Sequence, residues 1–364
     1  MSETIPYLLP SAGHLRAIGA VLKDGRLPAD QANVLIDQGI PMDLVARYVQ
    51  DLDWWKSNAV LSTSELSLPW EVQSWQATLS LQTEGLSVWV DPGPYSPMPS
   101  TSPDLILLTH AHRDHYERLG DLSSRWPAAR VIMTEQTNYL LEESDPDLAR
   151  LIQPHLIRLE YNSPRKVMDC EIRAYPAGHV LGAAMFALHH DTDNILISGE
   201  FTLREVGGLP GASIPPGQFG LVVMPADTPD CDHFPFADEA STHQRLLKQI
   251  HENVCAGKTS ILVKVQALGQ AQEVYAAITN AQRAGAFASL KVFLHGRAAQ
   301  VSEMYRKTLG GRRGPWSLPI LQPGSLIEPN SIVITSSDRQ ALYEPKNLPE
   351  TFVEITTPNV FTHG

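Results

Sequence analysis

The sequence is poor in cysteine and has no long apolar run. Its 364 residues include 3 cysteines, Cys170, Cys231 and Cys255, which are scattered and show no C-x-x-C spacing. This argues against a disulfide framework and against a thiolate zinc site, and it is typical of a reducing, cytoplasmic location. No stretch of about 18 apolar residues occurs, and no basic region followed by an apolar core stands at the N-terminus. The sequence therefore predicts neither a membrane span nor a signal peptide.

Positive charge is also scarce. The chain has 28 Lys and Arg against 40 Asp and Glu, a net charge of -12. This balance argues against a broad basic face for nucleic acid, but it allows a narrow site at which bound metals supply the positive charge. With 43% hydrophobic residues, the chain can bury a large core, which predicts two domains or one domain with an insertion.

Histidine, in contrast, is concentrated at one point of the chain. The apolar residues 105–108 predict a buried strand, and His110, His112, Asp114 and His115 follow it directly. Three imidazoles and a carboxylate, leaving a strand end in a tight turn, are suitable ligands for a divalent ion such as Zn²⁺. The alternative is a surface loop that happens to be rich in histidine, in a chain with 13 histidines.

This H-x-H-x-D-H pattern resembles the signature of the metallo-β-lactamase fold. The resemblance implies an α/β protein, an αββα sandwich, in which His110 and His112 hold one metal and Asp114 and His115 hold another. In that fold a strand ending in D-x-G precedes the histidines, and its aspartate supports the ligands. Asp91-Pro-Gly93 takes that place here, and a plain turn aspartate is the alternative.

Two later residues complete the expected ligand set. His179 is flanked by Gly178 and Gly182, which would let the backbone turn sharply and approach an ion. The resemblance implies that His179 is the next ligand. Glu200, at the end of an apolar strand, stands where the family usually has aspartate. We expect it to bridge two metals, and its extra methylene could alter their spacing; a surface glutamate beside an inactive second site is the alternative.

Alternating strands and helices in the second half predict a small α/β unit with a parallel sheet. The segment Lys264-Val-Gln-Ala-Leu-Gly-Gln-Ala-Gln-Glu273 is similar to the A-L-G-R/K-A-Q-E segment of β-CASP nucleases, the nucleic-acid branch of the fold. Residues 177–185 are similar to that group too. The group includes RNA 3′-end processing nucleases and a compact bacterial exonuclease associated with a DNA ligase, and the latter looks closest. The resemblance covers roughly residues 75 to 340.

Other family motifs are loose or missing. Where the family has E-S-T-Y/F-G, this chain has Ala226-Asp-Thr-Pro-Asp230, in which Asp227 is the candidate substitute. No segment matches the S-x-H-x-D motif. Phe361-Thr-His-Gly364 resembles the motif ending in H-G, so His363 is a candidate final ligand or an acid for the leaving oxygen. His295 is expected to be a structural residue at a strand end.

The predicted organisation has three parts. Residues 1–70 contain short amphipathic patterns that predict an N-terminal helical extension, either a cap sealed by aromatic side chains or a docking surface for a protein partner. Residues 71–225 and 320–364 are assigned to the metallo-β-lactamase-like domain, and residues 226–319 to a β-CASP-like α/β domain.

The expected function is that of a phosphodiesterase acting on single-stranded DNA or RNA through two Zn²⁺ ions, with Mn²⁺ or Fe as alternative metals. Asp114 and His363 are the candidate catalytic residues. One alternative is a hydrolase of a small ester, lactone or thioester on the same metal pair. Another is a catalytically silent β-CASP-like partner subunit, which the intact H-x-H-x-D-H pattern disfavours.

Overall fold

The computed structural model describes the greater part of the chain, in these ranges: residues 20–21, 27–38, 70–75, 78–191, 193–203, 205–224, 239–258, 260–309, 319–322, 328–336 and 352–356. The chain divides into two compact units, residues 1–72 and 73–364. In the first unit, helix α1 (Ala29–Asp37) follows Pro28, as its proline and apolar spacing predict. Apart from the helical residues 20–21, the rest of the predicted helical pattern before residue 70 lies outside the described residues.

The first sheet carries the histidine-rich segment. Its six strands follow one another in chain order: β1 (Glu71–Trp75), β2 (Thr78–Thr83), β3 (Leu86–Val90), β4 (Leu105–Leu107), β5 (Arg130–Thr134) and β6 (Leu156–Leu159). Strands β2 and β3 form an antiparallel hairpin, and β3 to β6 run parallel. The carboxyl ends of β3 and β4 therefore meet at one edge.

Helices cover one face of this sheet. They are α2 (Arg113–Tyr116), α3 (Leu119–Arg125), α4 (Glu135–Ser144) and α5 (Pro146–Ile152). Every second residue of these strands faces the helices. On this face Ile106, Val131 and Met133 pack with Leu122 and Leu141. The residues between them on the strands are buried as well, so the sheet is covered on both faces.

The second sheet supplies the two later candidate ligands. Its strands are β7 (Pro164–Val167), β8 (Cys170–Pro176), β9 (Ala184–His190), β10 (Asp193–Ile197) and β11 (Leu221–Val223), in the order β11-β10-β9-β8-β7. β8 and β9 are antiparallel neighbours, so the loop between them returns to the same sheet edge. Glu200 follows β10 by three residues.

The third sheet is wholly parallel, as the strand and helix alternation predicts. Its order is β14-β13-β15-β12-β16, and the members are β12 (Ser260–Val265), β13 (Lys291–His295), β14 (Ile320–Leu321), β15 (Ser331–Ser336) and β16 (Phe352–Thr356). The helices of this part are α6 (Glu239–Cys255), α7 (Gln270–Arg283) and α8 (Gly296–Thr308).

The strands after residue 320 differ from the predicted domain grouping. Residues 320–364 were assigned to the metallo-β-lactamase-like part, whereas β15 and β16 both pair with β12 in the third sheet. The apolar run of β15 is buried between strands on each side, as parallel strands require. In the part of the chain that the structure describes, no helix is long and apolar enough to cross a membrane.

Candidate metal centre

Asp91, directly after β3, orients the candidate ligands by hydrogen bonds. The residue is 3% exposed, its backbone adopts the left-handed φ of 49°, and its carboxylate accepts three hydrogen bonds. Oδ1 accepts the Thr109 N–H at 2.7 Å, and Oδ2 accepts the Thr109 hydroxyl at 2.7 Å and His115 Nδ1–H at 3.0 Å. A non-glycine residue held in this conformation costs about 1–2 kcal/mol, which the surrounding contacts must offset.

The hydroxyl of Thr109 determines the tautomer of His110. Thr109 Oγ1 lies 3.0 Å from His110 Nδ1, and its only hydrogen is already donated to Asp91. Thr109 must therefore accept, so His110 carries its hydrogen on Nδ1 and presents a lone pair on Nε2. Burial lowers the pKa of His110 well below its usual value, and the ring is neutral at pH 7.

A backbone carbonyl determines the tautomer of His112. Its Nε2 lies 3.3 Å from the carbonyl oxygen of Leu268, in the loop between β12 and α7. A carbonyl can only accept, so Nε2 carries the hydrogen and Nδ1 presents the lone pair. Burial lowers the pKa of His112 to about 4. The two histidines thus present their lone pairs on different ring nitrogens, Nε2 of His110 and Nδ1 of His112.

His179 lies on the loop between β8 and β9, which several hydrogen bonds hold in place. The Thr134 and Thr137 hydroxyls both donate to the carbonyl of Gly182, at 2.7 and 2.9 Å. The buried Tyr305 hydroxyl accepts the N–H of Leu181 at 3.0 Å. Gly178 and Gly182 both have positive φ, 75° and 85°, as their predicted role in a sharp turn requires.

Glu200 spans the cluster. Its Oε2 lies 2.8 Å from His179 Nε2, and its Oε1 lies 3.3 Å from His115 Nε2. Burial by itself would raise the pKa of Glu200, but hydrogen bonds from His115 and His179 outweigh it and lower the pKa well below its usual range. For His115, the charges of Asp91 and Glu200 likewise outweigh burial and raise its pKa. Glu200 is a carboxylate at neutral pH.

Four of the predicted ligands meet at one point. Each of His110, His112, His179 and Glu200 offers one potential metal-ligand atom, a ring nitrogen or a carboxylate oxygen. These four atoms all lie within 4.8 Å of one another. His112 Nδ1 stands 2.9 Å from His110 Nε2 and 3.4 Å from His179 Nε2. Donors of a tetrahedral zinc site, about 2.0–2.1 Å from the ion, stand roughly 3.4 Å apart.

This donor set fits a divalent cation. His110 and His112 turn their lone pairs toward each other, so no hydrogen bond can join them, whereas a cation would be attracted to both. Asp91, His110 and His115 also lie close together. Asp91 is less suited to be a ligand because both its oxygens already accept hydrogen bonds from Thr109 and His115.

The remaining residues singled out in the sequence are Asp114, Asp227, His363 and His295, and the structure describes Asp114 and His295. The Asp114 side chain is 52% exposed, and its oxygen lies 3.8 Å from His115 Nε2. Asp227 and His363 lie outside the described residues. His295 is buried at the end of β13, where its Nδ1 lies 3.1 Å from the Thr335 hydroxyl.

Sequence reasoning missed the groups that orient these ligands. Thr109 directly precedes His110, and its position between strand and motif was the available signal. Leu268 belongs to the Ala-Leu-Gly segment that carries the family resemblance, but its contribution is a backbone carbonyl, which no side-chain pattern reveals. Tyr305 lies 124 positions from its partner Leu181, so only folding brings the two together.

Comparison with known proteins finds similar sequences of one superfamily. Residues 99–242 match the model of the Metallo-beta-lactamase superfamily. The endoribonuclease YSH1 of Yarrowia lipolytica is 31% identical over 190 residues, covering 47% of this chain and 22% of that protein. The YSH1 endoribonuclease of Saccharomyces cerevisiae is 27% identical over 198 residues, covering 47% of this chain and 25% of that protein.

A third relative is archaeal. The transcription termination factor FttA of Pyrococcus abyssi is 27% identical over 205 residues, covering 50% of this chain and 31% of that protein. The chain thus spans less than a third of the length of each of these relatives. It contains a metallo-β-lactamase domain, and the predicted resemblance to the nuclease branch of that fold is confirmed at modest identity.

Proposed function

We propose that this chain is a metal-dependent hydrolase that cleaves phosphodiester bonds in nucleic acid. The observation that carries the proposal is the convergence of His110, His112, His179 and Glu200, from three separate segments, with their donor atoms within 4.8 Å. The similarity to endoribonucleases supports a nucleic-acid substrate, single-stranded RNA or DNA.

The proposed site takes two metal ions. His110, His112 and His179 would hold the first, and Asp114 and His115 the second, with Glu200 between them. Zn²⁺ is the proposed metal because imidazole nitrogen predominates, and Mn²⁺ or iron are the alternatives. When bound, such ions lower the pKa of a shared water to near neutrality and stabilise charge on the phosphate oxygens.

The chain's own residues contribute charge and rigidity. Two carboxylates, Asp114 and Glu200, would offset only about half the charge of two divalent ions, so the centre would attract a phosphodiester although the whole chain is acidic. Asp91, Thr109 and the Leu268 carbonyl hold the imidazole rings in the tautomers that ligation needs. Such outer partners prevent reorganisation of the ligands during the reaction.

The test is an assay of the purified, metal-loaded protein against labelled single-stranded DNA, RNA and a simple phosphodiester. Asp114→Ala should fold normally, because this side chain is half exposed, and should lower turnover at least about 100-fold. The matched control is Asp121→Ala, an exposed aspartate that pairs with Arg118, which should keep full activity. Full activity of Asp114→Ala would overturn the site assignment.

A second candidate function is hydrolysis of a small ester, lactone or thioester at the same metal pair. The net charge of -12 and the missing S-x-H-x-D motif favour it. Rapid ester hydrolysis without cleavage of any polymer would overturn the nuclease proposal. A folded protein that binds no metal would overturn both and leave the silent partner subunit.

A further inference from the structure

The loop between β12 and α7 reaches the candidate metal centre from the third sheet. Its Leu268 carbonyl lies 3.3 Å from His112 Nε2, although 156 positions separate the two residues. The loop consists of residues 266–269. The histidine-rich turn and the Leu268 loop therefore belong to parts of the chain that were predicted as different domains.

Gln272, in the first turn of α7, holds this loop by hydrogen bonds on both sides of Leu268. Its Oε1 accepts the N–H of Gly269 at 2.8 Å, and its Nε2 donates to the carbonyl of Ala267 at 3.0 Å. The second hydrogen on Nε2 goes to the Ser302 hydroxyl on α8 at 2.8 Å. The side chain is 1% exposed, so both amide hydrogens and the oxygen are satisfied inside the protein.

A connected path thus leads from α8 to the metal centre. Ser302 donates to Ala298 within α8, which directs its lone pair to Gln272. Gln272 fixes the peptide groups on each side of Leu268, and the Leu268 carbonyl then accepts the His112 hydrogen. Loss of that acceptor would free the hydrogen of His112 to move to Nδ1, the atom that faces His110 and His179.

We propose that Gln272 is a positioning residue of the metal centre: by fixing the Leu268 carbonyl, it keeps the lone pair of His112 on Nδ1, available to a metal. This inference rests on the proposed function only in assuming that His112 ligates a metal. The identity of the substrate plays no part in this inference. Gln272 touches neither the metal ligands nor any reacting group, and it acts through the backbone.

The neighbouring Gln270 provides a matched control. It is also buried, 6% exposed, and its Oε1 accepts the N–H of Gln266 at 2.8 Å, at the start of the same loop. Among the described residues, its side chain makes no hydrogen bond to residues 267–269. A purely structural role for buried glutamines at this helix start would make both positions equally important for stability and equally unimportant for metal binding.

The test compares Gln272→Met and Gln270→Met in the full chain. Zinc affinity is measured by competition with a chromophoric chelator, and the tautomer of His112 by two-bond ¹⁵N couplings in metal-free, ¹⁵N-histidine-labelled protein. Gln272→Met should weaken zinc binding by about 10- to 100-fold and shift His112 away from the Nε2–H tautomer. Gln270→Met should bind zinc within about 3-fold of wild type.

A Gln272→Met protein with wild-type zinc affinity and an unchanged His112 tautomer would overturn the proposal. Equal losses in both variants would overturn it as well, since they would show a general effect of loop stability. The result is independent of catalysis: a wild type that binds zinc tightly but cleaves no nucleic acid overturns the proposed function and leaves this inference standing.

If Gln272→Met does not fold, a milder pair of variants tests the same proposal. Ser302→Ala removes one of the three partners of Gln272 and should weaken zinc binding by about 3- to 10-fold. Ser123→Ala is its control, because the buried Ser123 hydroxyl has no hydrogen-bond partner among the described residues. Zinc affinity of Ser302→Ala equal to that of Ser123→Ala would overturn the proposal.

Discussion

Asp91 and Thr109 are joined by two hydrogen bonds of 2.7 Å, one from the Thr109 N–H to Oδ1 and one from its hydroxyl to Oδ2. This pairing links the end of β3 to the residue that precedes the histidine-rich turn. Through it, one carboxylate orients two imidazoles: His115 by direct contact, and His110 through the Thr109 hydroxyl. The support of the centre therefore depends on a threonine that is not itself a candidate ligand.

Thr109→Val tests this relay. Valine preserves the shape but removes the hydroxyl, so His110 Nδ1–H loses its acceptor while Asp91 keeps His115. We expect a loss of about 1–3 kcal/mol in the free energy of unfolding and at least about 10-fold weaker zinc binding. Urea unfolding and chelator competition measure the two effects.

The matched control for Thr109→Val is Thr202→Val. Thr202 is equally buried, but its hydroxyl has no hydrogen-bond partner among the described residues. Its replacement should leave stability unchanged or slightly higher, and zinc affinity unchanged. Equal zinc affinities in the two variants would contradict the relay.

Glu200→Asp tests whether the longer side chain is needed to span the site. Glu200 reaches His179 with one oxygen and His115 with the other, at 2.8 and 3.3 Å. Aspartate is about 1.5 Å shorter, so it cannot contact both without backbone movement. We expect the metal content, measured by elemental analysis, to fall below that of wild type. The exposed Glu171→Asp is the control, and full metal content in Glu200→Asp would refute the bridging role.

Gly182→Ala tests the packing of the His179 loop. A Cβ at Gly182 would lie 2.5 Å from Thr137 N, and the residue has φ 85°. Gly85 has a similar φ of 89°, but a Cβ there meets nothing within 4 Å. Gly85→Ala should lower the free energy of unfolding by about 1–2 kcal/mol from backbone strain alone. Gly182→Ala should cost more and also weaken zinc binding; equal costs in urea unfolding would argue against the close approach.

His295→Gln tests a pH effect away from the metal centre. Burial lowers the pKa of His295, so below pH about 6.5 the unfolded chain binds a proton that the folded chain does not. The folded protein should therefore lose stability as the pH falls from 7.5 to 5.5. One proton contributes at most about 1.4 kcal/mol per pH unit.

The glutamine variant should show a shallower fall in stability than wild type over this range, measured by urea unfolding at each pH. His189→Gln, at an exposed position, is the control for replacing a histidine by glutamine. A slope for His295→Gln as steep as that of wild type would exclude the buried ring as a source of the effect.

Local sequence patterns predicted most elements that surround the site. The apolar residues before His110, predicted as a buried strand, form β4. The grouping of the last strands differs, because β15 and β16 pair with β12 rather than with the first sheet. Sheet membership depends on which strands meet after long connections, and periodicity along one strand carries no such information.

The candidate ligands themselves could be read from the chain, since H-x-H-x-D-H, His179 and Glu200 stand out as metal-binding residue types at strand ends. The structure brings four of the six together, and it leaves Asp114 half exposed beside His115. Whether these residues ligate two metals stays a prediction, as do the roles of Asp227 and His363, the domain boundaries, and a protein partner for residues 1–70.

The sequence by itself determined which side chains are available for the chemistry, because ligand type and the end of a strand are local properties. Only the tertiary structure decided which ring nitrogen each histidine offers. That choice depends on where the second nitrogen finds an acceptor, and for His110 and His112 the acceptors are the Thr109 hydroxyl and the Leu268 carbonyl. A hydrogen bond across 156 positions is a consequence of packing, which no local pattern encodes.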